Sequence, residues 1–267
     1  MNETELLFTD ILNCDYLSLY LDKDRFLDRA KSSLISSVLR RRIQGEPLEY
    51  ILGKTEFMGL EFKVTADVFI PRAETEVLVE ATIDIVHSSK FIVHSILDIG
   101  TGSGCIAISL AKFLPDVDIT AIDISENAIK IAKQNALLNN VEVNFLQSNL
   151  FANHEPRTTN YELIISNPPY IPSIEIEALP PEVKYEPLMA LDGGKNGLDF
   201  YRRIIEEAPG YLRKDGFLIM EMGFNQKDAI KNIFQESGYF QIIKLIKDYN
   251  NIDRVVIAKK REREWIN

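Results

Sequence analysis

Apolar positions change their period twice along the chain. Over the first 50 or so residues, Leu6, Leu7, Ile11 and Leu12 recur at helical spacing, and so do Phe26, Leu27, Leu34, Ile35, Val38 and Leu39. The second of these helices ends in Arg40-Arg41-Arg42, with Asp22 or Asp24 as its candidate cap. Basic residues in a last turn complement the helix dipole, so the triplet reads as a solvated helix end or as a contact for an acidic partner. Gly45-Glu46-Pro47 then breaks the helix. Between Leu52 and Ile70, Gly53 and Gly59 punctuate Phe57, Leu60, Phe62 and Val64. That is the pattern of a short β-hairpin turning at Met58-Gly59. Ala73 to Val86 returns to helical spacing, with Pro71 near its start and Glu74 and Glu76 in its first turn.

After Lys90 the chain alternates strands and helices. Phe91-Ile92-Val93 with Ser95-Ile96-Leu97 leads into a glycine-rich turn, and a helix follows from Ile106 to Phe113. Asp118 to Ile122 is a second strand ending at Asp123, Ser125 and Asn127 open a helix to Asn139, and Val141 to Leu146 is a third strand. Leu163-Ile164-Ile165 is a fourth strand, Tyr201 to Leu212 a helix, Phe217 to Met220 a fifth strand, and Ala229 to Gly238 a helix. Ile242 to Ile246 and Val255 to Ala258 complete the strands, and Lys259 to Glu264 reads as a solvated end. Regular alternation of this kind predicts an α/β domain with a largely parallel, doubly wound sheet covered on both faces.

Composition narrows the classes. A chain of 267 residues that is 46% hydrophobic can bury one large domain and a small one. No apolar run approaches the roughly 18 residues needed to cross a bilayer, and the acidic start Met1-Asn2-Glu3-Thr4-Glu5 lacks signal-peptide order. Cys14 and Cys105 are the only cysteines, which suits a reducing cytoplasm. His87, His94 and His154 have no ligand spacing, so no metal is expected. A net charge of −10 argues against broad nucleic-acid binding and leaves room for a local basic patch.

The turn Asp98-Ile99-Gly100-Thr101-Gly102-Ser103-Gly104 follows a strand and opens a helix. Glycine there lets backbone approach a ligand closely, and Asp123, about 20 residues on, can accept hydrogen bonds from ribose hydroxyls. The spacing also satisfies the dinucleotide pattern, so NAD competes on this motif alone. Asp98 tilts the balance, because its carboxylate can hold the turn or meet an ammonium group but offers a pyrophosphate nothing. Gln147-Ser148-Asn149-Leu150 supplies a polar and an apolar side chain to bracket an adenine. A nucleoside carrying an amino acid fits better: S-adenosylmethionine, with S-adenosylhomocysteine as product. The candidate cofactor set is Asp98, Gly100, Thr101, Gly102, Ser103, Gly104, Asp123, Ile124, Asn149, Leu150 and Asn167.

Asn167-Pro168-Pro169-Tyr170 follows the fourth strand. The two prolines cannot continue a central strand and hold a rigid corner. Its acceptors and its aromatic wall suit a planar NH2 group, on an adenine or an amide. Asn167, Pro168 and Tyr170 are the catalytic candidates; Pro169, Arg72 and Glu74 join them as substrate-binding candidates, although an ion pair explains Arg72 and Glu74 as well.

Together, Asp98 to Gly104, Asp123 and Asn167 to Tyr170 resemble class I S-adenosylmethionine-dependent methyltransferases acting on exocyclic or amide nitrogens. Gly45 to Gly53, Phe57 to Phe62, Ile70-Pro71-Arg72-Ala73-Glu74-Thr75-Glu76, Tyr185-Glu186-Pro187, Ala190 to Gly194 and Gly197-Leu198 resemble the PrmC/HemK family, the release-factor glutamine methyltransferases. The similarity runs from about residue 40 to Val256. Two positions depart from the family pattern: Ala73 stands where a proline is usual, and Asn149 where an aspartate is usual. The resemblance implies a Rossmann-like, seven-stranded, mostly parallel sheet with a small amino-terminal helical domain. The expected limits are 1–50 for the helical substrate-recognition domain, 51–72 for the hairpin link and 73–267 for the catalytic domain. It further implies methylation of N5 of the glutamine in the Gly-Gly-Gln motif of peptide chain release factors, with no membrane and no nucleic acid as partner. A monomer is the simplest expectation. The rivals are a ribosomal-protein glutamine methyltransferase, an adenine-N6 methyltransferase of DNA or RNA, and a noncatalytic sensor of the cofactor. Glu221, at the end of the fifth strand, could support the site from behind, although a solvated carboxylate is the plainer reading.

Overall fold

The structure is a computed structural model and describes residues 3–21, 27–89, 92–152 and 161–262. Four helices open the chain: α1 (Glu3–Leu12), α2 (Tyr16–Leu21), α3 (Arg29–Ile43) and α4 (Leu48–Leu52). Asp28 caps α3, its side chain accepting the Lys31 N–H at 2.7 Å. Asp22 and Asp24, the expected caps, lie outside the described residues, as does Phe26. The arginines at the end of α3 are not simply solvated. Arg41 pairs with Glu46, and Arg42 pairs with Glu3 on α1 and with Glu182 far along the chain. Gly45-Glu46-Pro47 ends α3, but helix resumes at once in α4 because Pro47 has a suitable φ to precede it.

The hairpin is β1 (Lys54–Phe57) and β2 (Leu60–Lys63), joined by Met58 and Gly59, both at positive φ. A two-residue turn with both φ positive matches the natural strand twist. Asparagines from the later helix α7 (Glu126–Asn139) hold this hairpin by its backbone. The Asn135 amide accepts from Lys63 N–H at 2.7 Å and donates to Lys63 O at 3.0 Å, while Asn139 donates to Glu61 O at 2.9 Å. Asn135 also donates to Ser103 O at 2.9 Å, tying the hairpin to the glycine turn.

The large sheet contains β3 (Ser95–Ile99), β4 (Asp118–Asp123), β5 (Asn144–Gln147), β6 (Tyr161–Ser166), β7 (Leu212–Glu221), β8 (Phe240–Lys247) and β9 (Asp253–Lys260). Its order is β5-β4-β3-β6-β7-β9-β8, with β9 antiparallel to both its neighbours and the other pairings parallel. Side chains alternate strictly between two cores. Ile96, Leu163, Ile165, Ile219 and Ile257 pack beneath α5 (Ala73–Ser88), α6 (Cys105–Phe113) and α7. Leu97, Ile164, Leu218 and Val256 pack against α9 (Asp199–Glu207) and α10 (Lys227–Ser237). A short α8 (Leu188–Leu191) lies between these halves of the chain. Each fully buried Ile or Leu contributes about 1.5–3 kcal/mol relative to exposure, so both faces are committed to core.

Strand order reverses between β3 and β6, and the loops leaving their carboxyl ends diverge there to leave a crevice. Several elements depart from the pattern-based limits; β3, for one, begins at Ser95 and leaves Ile92 and Val93 outside it. The third strand starts at Asn144, not Val141, because the Val141 N–H closes the end of α7 on Ala136 O at 3.1 Å. The helix at Tyr201 ends at Glu207, since Ala208–Gly210 with Pro209 forms a tighter 3-10 turn and Leu212 already begins β7. Lys259 and Lys260 belong to β9 rather than to a solvated end, and the Lys260 ammonium donates to Pro209 O and Leu212 O at 2.6 and 2.7 Å.

Candidate active site

The glycine turn leaves β3 and enters α6. Gly100 and Gly102 have φ of 75° and 55°, and a Cβ built on either meets nothing within 4 Å. Their φ values select glycine, and the space in front of them belongs to a cavity of about 630 Å³. Gly104 instead permits packing, because a Cβ there would press on Ile108 and Ala132. Gly100 and Thr101 donate their amide hydrogens to Ile122 O at 2.9 and 3.0 Å, which anchors the turn to β4.

Asp123 braces the same turn from the end of β4. Its Oδ2 accepts the Gly102 N–H and its Oδ1 the Ser125 N–H, both at 2.8 Å. Burial raises its pKa, opposed by those amides. Ile124 is exposed on the cavity wall, Leu150 is buried beside it at a φ of 50°, and Asn149 accepts from Arg203 at 3.3 Å. These side chains line one end of the cavity.

Asp98 sits behind the turn and not on the cavity wall. It is fully buried, and neither carboxylate oxygen has a hydrogen-bond partner. Burial pushes its pKa up to about 7; the Asp123 charge adds to this, and the nearby Thr101 hydroxyl and Ala107 amide oppose it. The Thr101 and Ser103 hydroxyls are likewise unpartnered, and both residues line the cavity. An acceptor-rich turn with open space over two glycines and spare hydroxyls suits a nucleoside with a polar tail. The residues present therefore fit S-adenosylmethionine.

On the same cavity, Asn167-Pro168-Pro169-Tyr170 leaves β6, the neighbour of β3, as an open corner held from below by glycines. A Cβ on Gly193 would fall 2.7 Å from Pro169 O and from Tyr170 Cα, and one on Gly197 would collide with Tyr170 O. Gln226 donates to Tyr170 O at 2.8 Å, and Ile171 bridges to Asp192. The segment Ala190 to Leu198 is thus the floor of the corner. Burial, with the Glu221 charge nearby, pushes the Tyr170 hydroxyl up to about 12, so it stays protonated.

Two residues complete the corner: Thr75, to which the sequence reading gave no role of its own, and Glu221. Thr75 on α5 accepts from Asn167 Nδ2 at 3.1 Å and donates to Glu221 Oε2 at 2.7 Å. Glu221 is 2% exposed, which overturns its reading as a solvated carboxylate. It lies on the α5 face of β7, where the sheet's alternation turns it inward; an acid closing the four-residue apolar run Phe217 to Met220 was the available signal. Arg72 and Glu74 are not on the cavity wall. Arg72 pairs with Glu186, whose carboxylate is buried and also accepts the Ile70 N–H at 3.1 Å, and it stacks over Phe69. Tyr185-Glu186-Pro187 and Ile70-Pro71-Arg72 are therefore two halves of one contact.

Comparison with known proteins agrees with this architecture. Residues 1–53 match the family described as PrmC N-terminal domain, and residues 74–178 match Methyltransferase small domain. The release factor glutamine methyltransferase of Geobacter sulfurreducens is 43% identical over 256 residues, spanning 95% of this chain and 87% of that protein. That of Fusobacterium nucleatum is 43% identical over 261 residues, spanning 97% and 73%. Among solved structures, a methyltransferase from Pyrococcus furiosus shares the fold with a TM-score of 0.57 at 20% identity, covering 84% of this chain and 98% of its own. The fold is that of class I S-adenosylmethionine-dependent methyltransferases, and the chain belongs to the release factor glutamine methyltransferase family.

Proposed function

We propose that this protein transfers a methyl group from S-adenosyl-L-methionine to N5 of the glutamine in the Gly-Gly-Gln motif of peptide chain release factors, acting as a cytoplasmic monomer. One observation carries the reading: the Asp123-braced glycine turn and the Asn167–Tyr170 corner leave neighbouring strands and line one cavity. Bound there, the cofactor supplies an electrophilic methyl on a sulfonium. The turn Gly100 to Gly104 receives its amino-acid part, Asp123 its ribose, and Ile124, Asn149 and Leu150 its adenine. Asp98 lies buried behind the turn and supports it from beneath rather than from the cavity wall.

An amide nitrogen is a poor nucleophile because its lone pair is delocalised into the carbonyl. The chain's task is therefore orientation and charge stabilisation. The Asn167 side-chain oxygen and the Pro168 carbonyl accept the two amide hydrogens, aiming the nitrogen across the cavity. Pro169 keeps the corner stiff, and Tyr170 packs against the amide plane and excludes water. No strong base is required before attack, since the proton becomes acidic only as the new bond forms. The geometry around Arg72, paired with Glu186, favours a structural tie over substrate contact, and Glu74 stands off the cavity wall. Residues 1–50 serve as the recognition domain, 51–72 as the hairpin link and 73–267 as the catalytic domain; the matched segments 1–53 and 74–178 support that division.

The test is to incubate the protein with labelled cofactor and, separately, a release factor, ribosomal protein and DNA, and to locate the methyl by mass spectrometry. Label on the release-factor glutamine is expected. Label on adenine or on a ribosomal-protein glutamine alone would overturn the reading.

A further inference from the structure

Asn167, Thr75 and Glu221 form a chain whose direction is set by proton count. The Thr75 hydroxyl has one proton, and the 2.7 Å contact directs it to Glu221 Oε2. An ionised carboxylate only accepts. With its proton so placed, Thr75 Oγ1 can only accept from Asn167, which must offer its NH2 at 3.1 Å. Asn167 Oδ1 is then turned away from Thr75, toward the cavity that Asn167 lines.

We infer that Glu221 is a positioning residue, which acts through Thr75 to decide which end of the Asn167 amide faces the acceptor nitrogen. This rests on the glutamine reading only for the identity of that nitrogen. If Glu221 gains a proton it becomes a donor toward Thr75, and the Thr75 proton is released to turn toward Asn167. The amide then reverses and presents NH2 to an incoming NH2, two donors face to face.

The surroundings of Glu221 allow both states. Around it are Arg254 on β9, Glu74 on α5, Cys105 on α6, Tyr201 on α9 and Tyr170 beyond β6. Burial pushes Glu221 up to about 7, and Glu74 adds to this; Thr75, Arg254 and Asn167 oppose it. Arg254 is itself bonded to Asp248 and to Met222 O, so it does not neutralise Glu221 by direct pairing. The Glu221 backbone is pinned as well, since its carbonyl accepts the Tyr201 hydroxyl at 2.9 Å.

The test compares wild type with Thr75→Val, which keeps the shape and removes the hydroxyl, with Thr75→Ser as the rescue and Glu221→Gln as the second break. On a release-factor substrate, Thr75→Val is expected to lower kcat about tenfold to a hundredfold, the scale of one charge-assisted hydrogen bond, with KM for the cofactor unchanged. Thr75→Ser should recover most of the loss. Wild-type kcat should fall as pH drops through 7, and that limb should weaken in Thr75→Val. Asp98 also titrates near 7, but its contribution persists in the variant, so the difference between profiles isolates the relay. A second readout needs no substrate: the Asn167 side-chain amide followed by 15N NMR should titrate near pH 7 in wild type and in Thr75→Ser, with a much smaller change in Thr75→Val, where only the direct contact with Glu221 remains. Unchanged kcat in Thr75→Val, or an Asn167 titration indifferent to it, overturns the relay. If wild type fails to methylate the release factor, the glutamine reading falls, and the NMR comparison still decides the relay.

Discussion

Asp123 Oδ2 accepts the Gly102 N–H at 2.8 Å, so the residue we propose for the ribose also holds the turn proposed to receive the amino-acid part of the cofactor. Its other oxygen holds Ser125 N–H, at the start of α7. Replacing Asp123 with alanine leaves both amides unpaired and removes the ribose acceptor. Affinity for S-adenosylmethionine should fall about tenfold to a hundredfold, and stability by about 1–3 kcal/mol. Calorimetric titration and thermal melts check this; an unaltered dissociation constant would refute the ribose role.

Asn167→Ala should separate chemistry from binding. The amide is one of two acceptors for the substrate nitrogen, and loss of a single preorganised group of this kind costs about 10²–10³-fold in kcat. Cofactor affinity should fall much less than turnover, because Asp123 and the glycine turn are left intact and Asn167 is one lining residue among several. Methyl transfer at the wild-type rate would sink the mechanism.

Gly197→Ala strains the corner in two ways. Its φ is 71°, unfavourable for alanine, and the new methyl would meet Tyr170 O. Stability should fall by about 1–3 kcal/mol, and turnover with it, as Tyr170 shifts. Gly210→Ala is the control: it has nothing within 4 Å and no positive φ. Differential scanning calorimetry of the two variants, with equal melting temperatures, would show that the floor does not constrain the corner.

Asp98 should write itself into the pH dependence of stability. Burial raises its pKa from 3.8 to about 7 in the folded chain, so the folded state holds its proton more tightly than the unfolded one. The stabilisation is complete below pH ~4 and is lost as pH rises through 7, up to about 4 kcal/mol for a shift of this size. Asp98→Asn, neutral at every pH, should be the more stable protein at pH 8 and should flatten the profile between pH 4 and 7. Glu221 has the same sign, so part of the slope should remain in the variant. Chemical denaturation across that range measures it; parallel profiles for the two proteins would contradict the burial argument.

Elements whose cause is local were legible in the chain. The hairpin at Met58-Gly59, the glycine turn after β3 and the proline corner after β6 each depend on the backbone preferences of adjacent residues. Limits that depend on how an element ends were less so. Val141 is strand-like by composition, but its N–H is taken by the last turn of α7. Arg42 reads as a helix end, and only the fold brings Glu3 and Glu182 within reach of it.

By itself the sequence determined which residue types meet at the cavity and the chemistry proposed for them: glycines and Asp123 for a nucleoside, and Asn167-Pro168-Pro169-Tyr170 for a planar NH2. It did so because side-chain type and local backbone geometry suffice for those statements. Only tertiary structure decided how the corner is aimed. Thr75 and Glu221 stand 146 positions apart, and Asn167 is 92 from Thr75, so nothing local distinguishes them from any buried threonine or strand-end acid. The sheet's alternation turned Glu221 inward, α5 laid Thr75 across it, and a single hydroxyl proton then oriented Asn167.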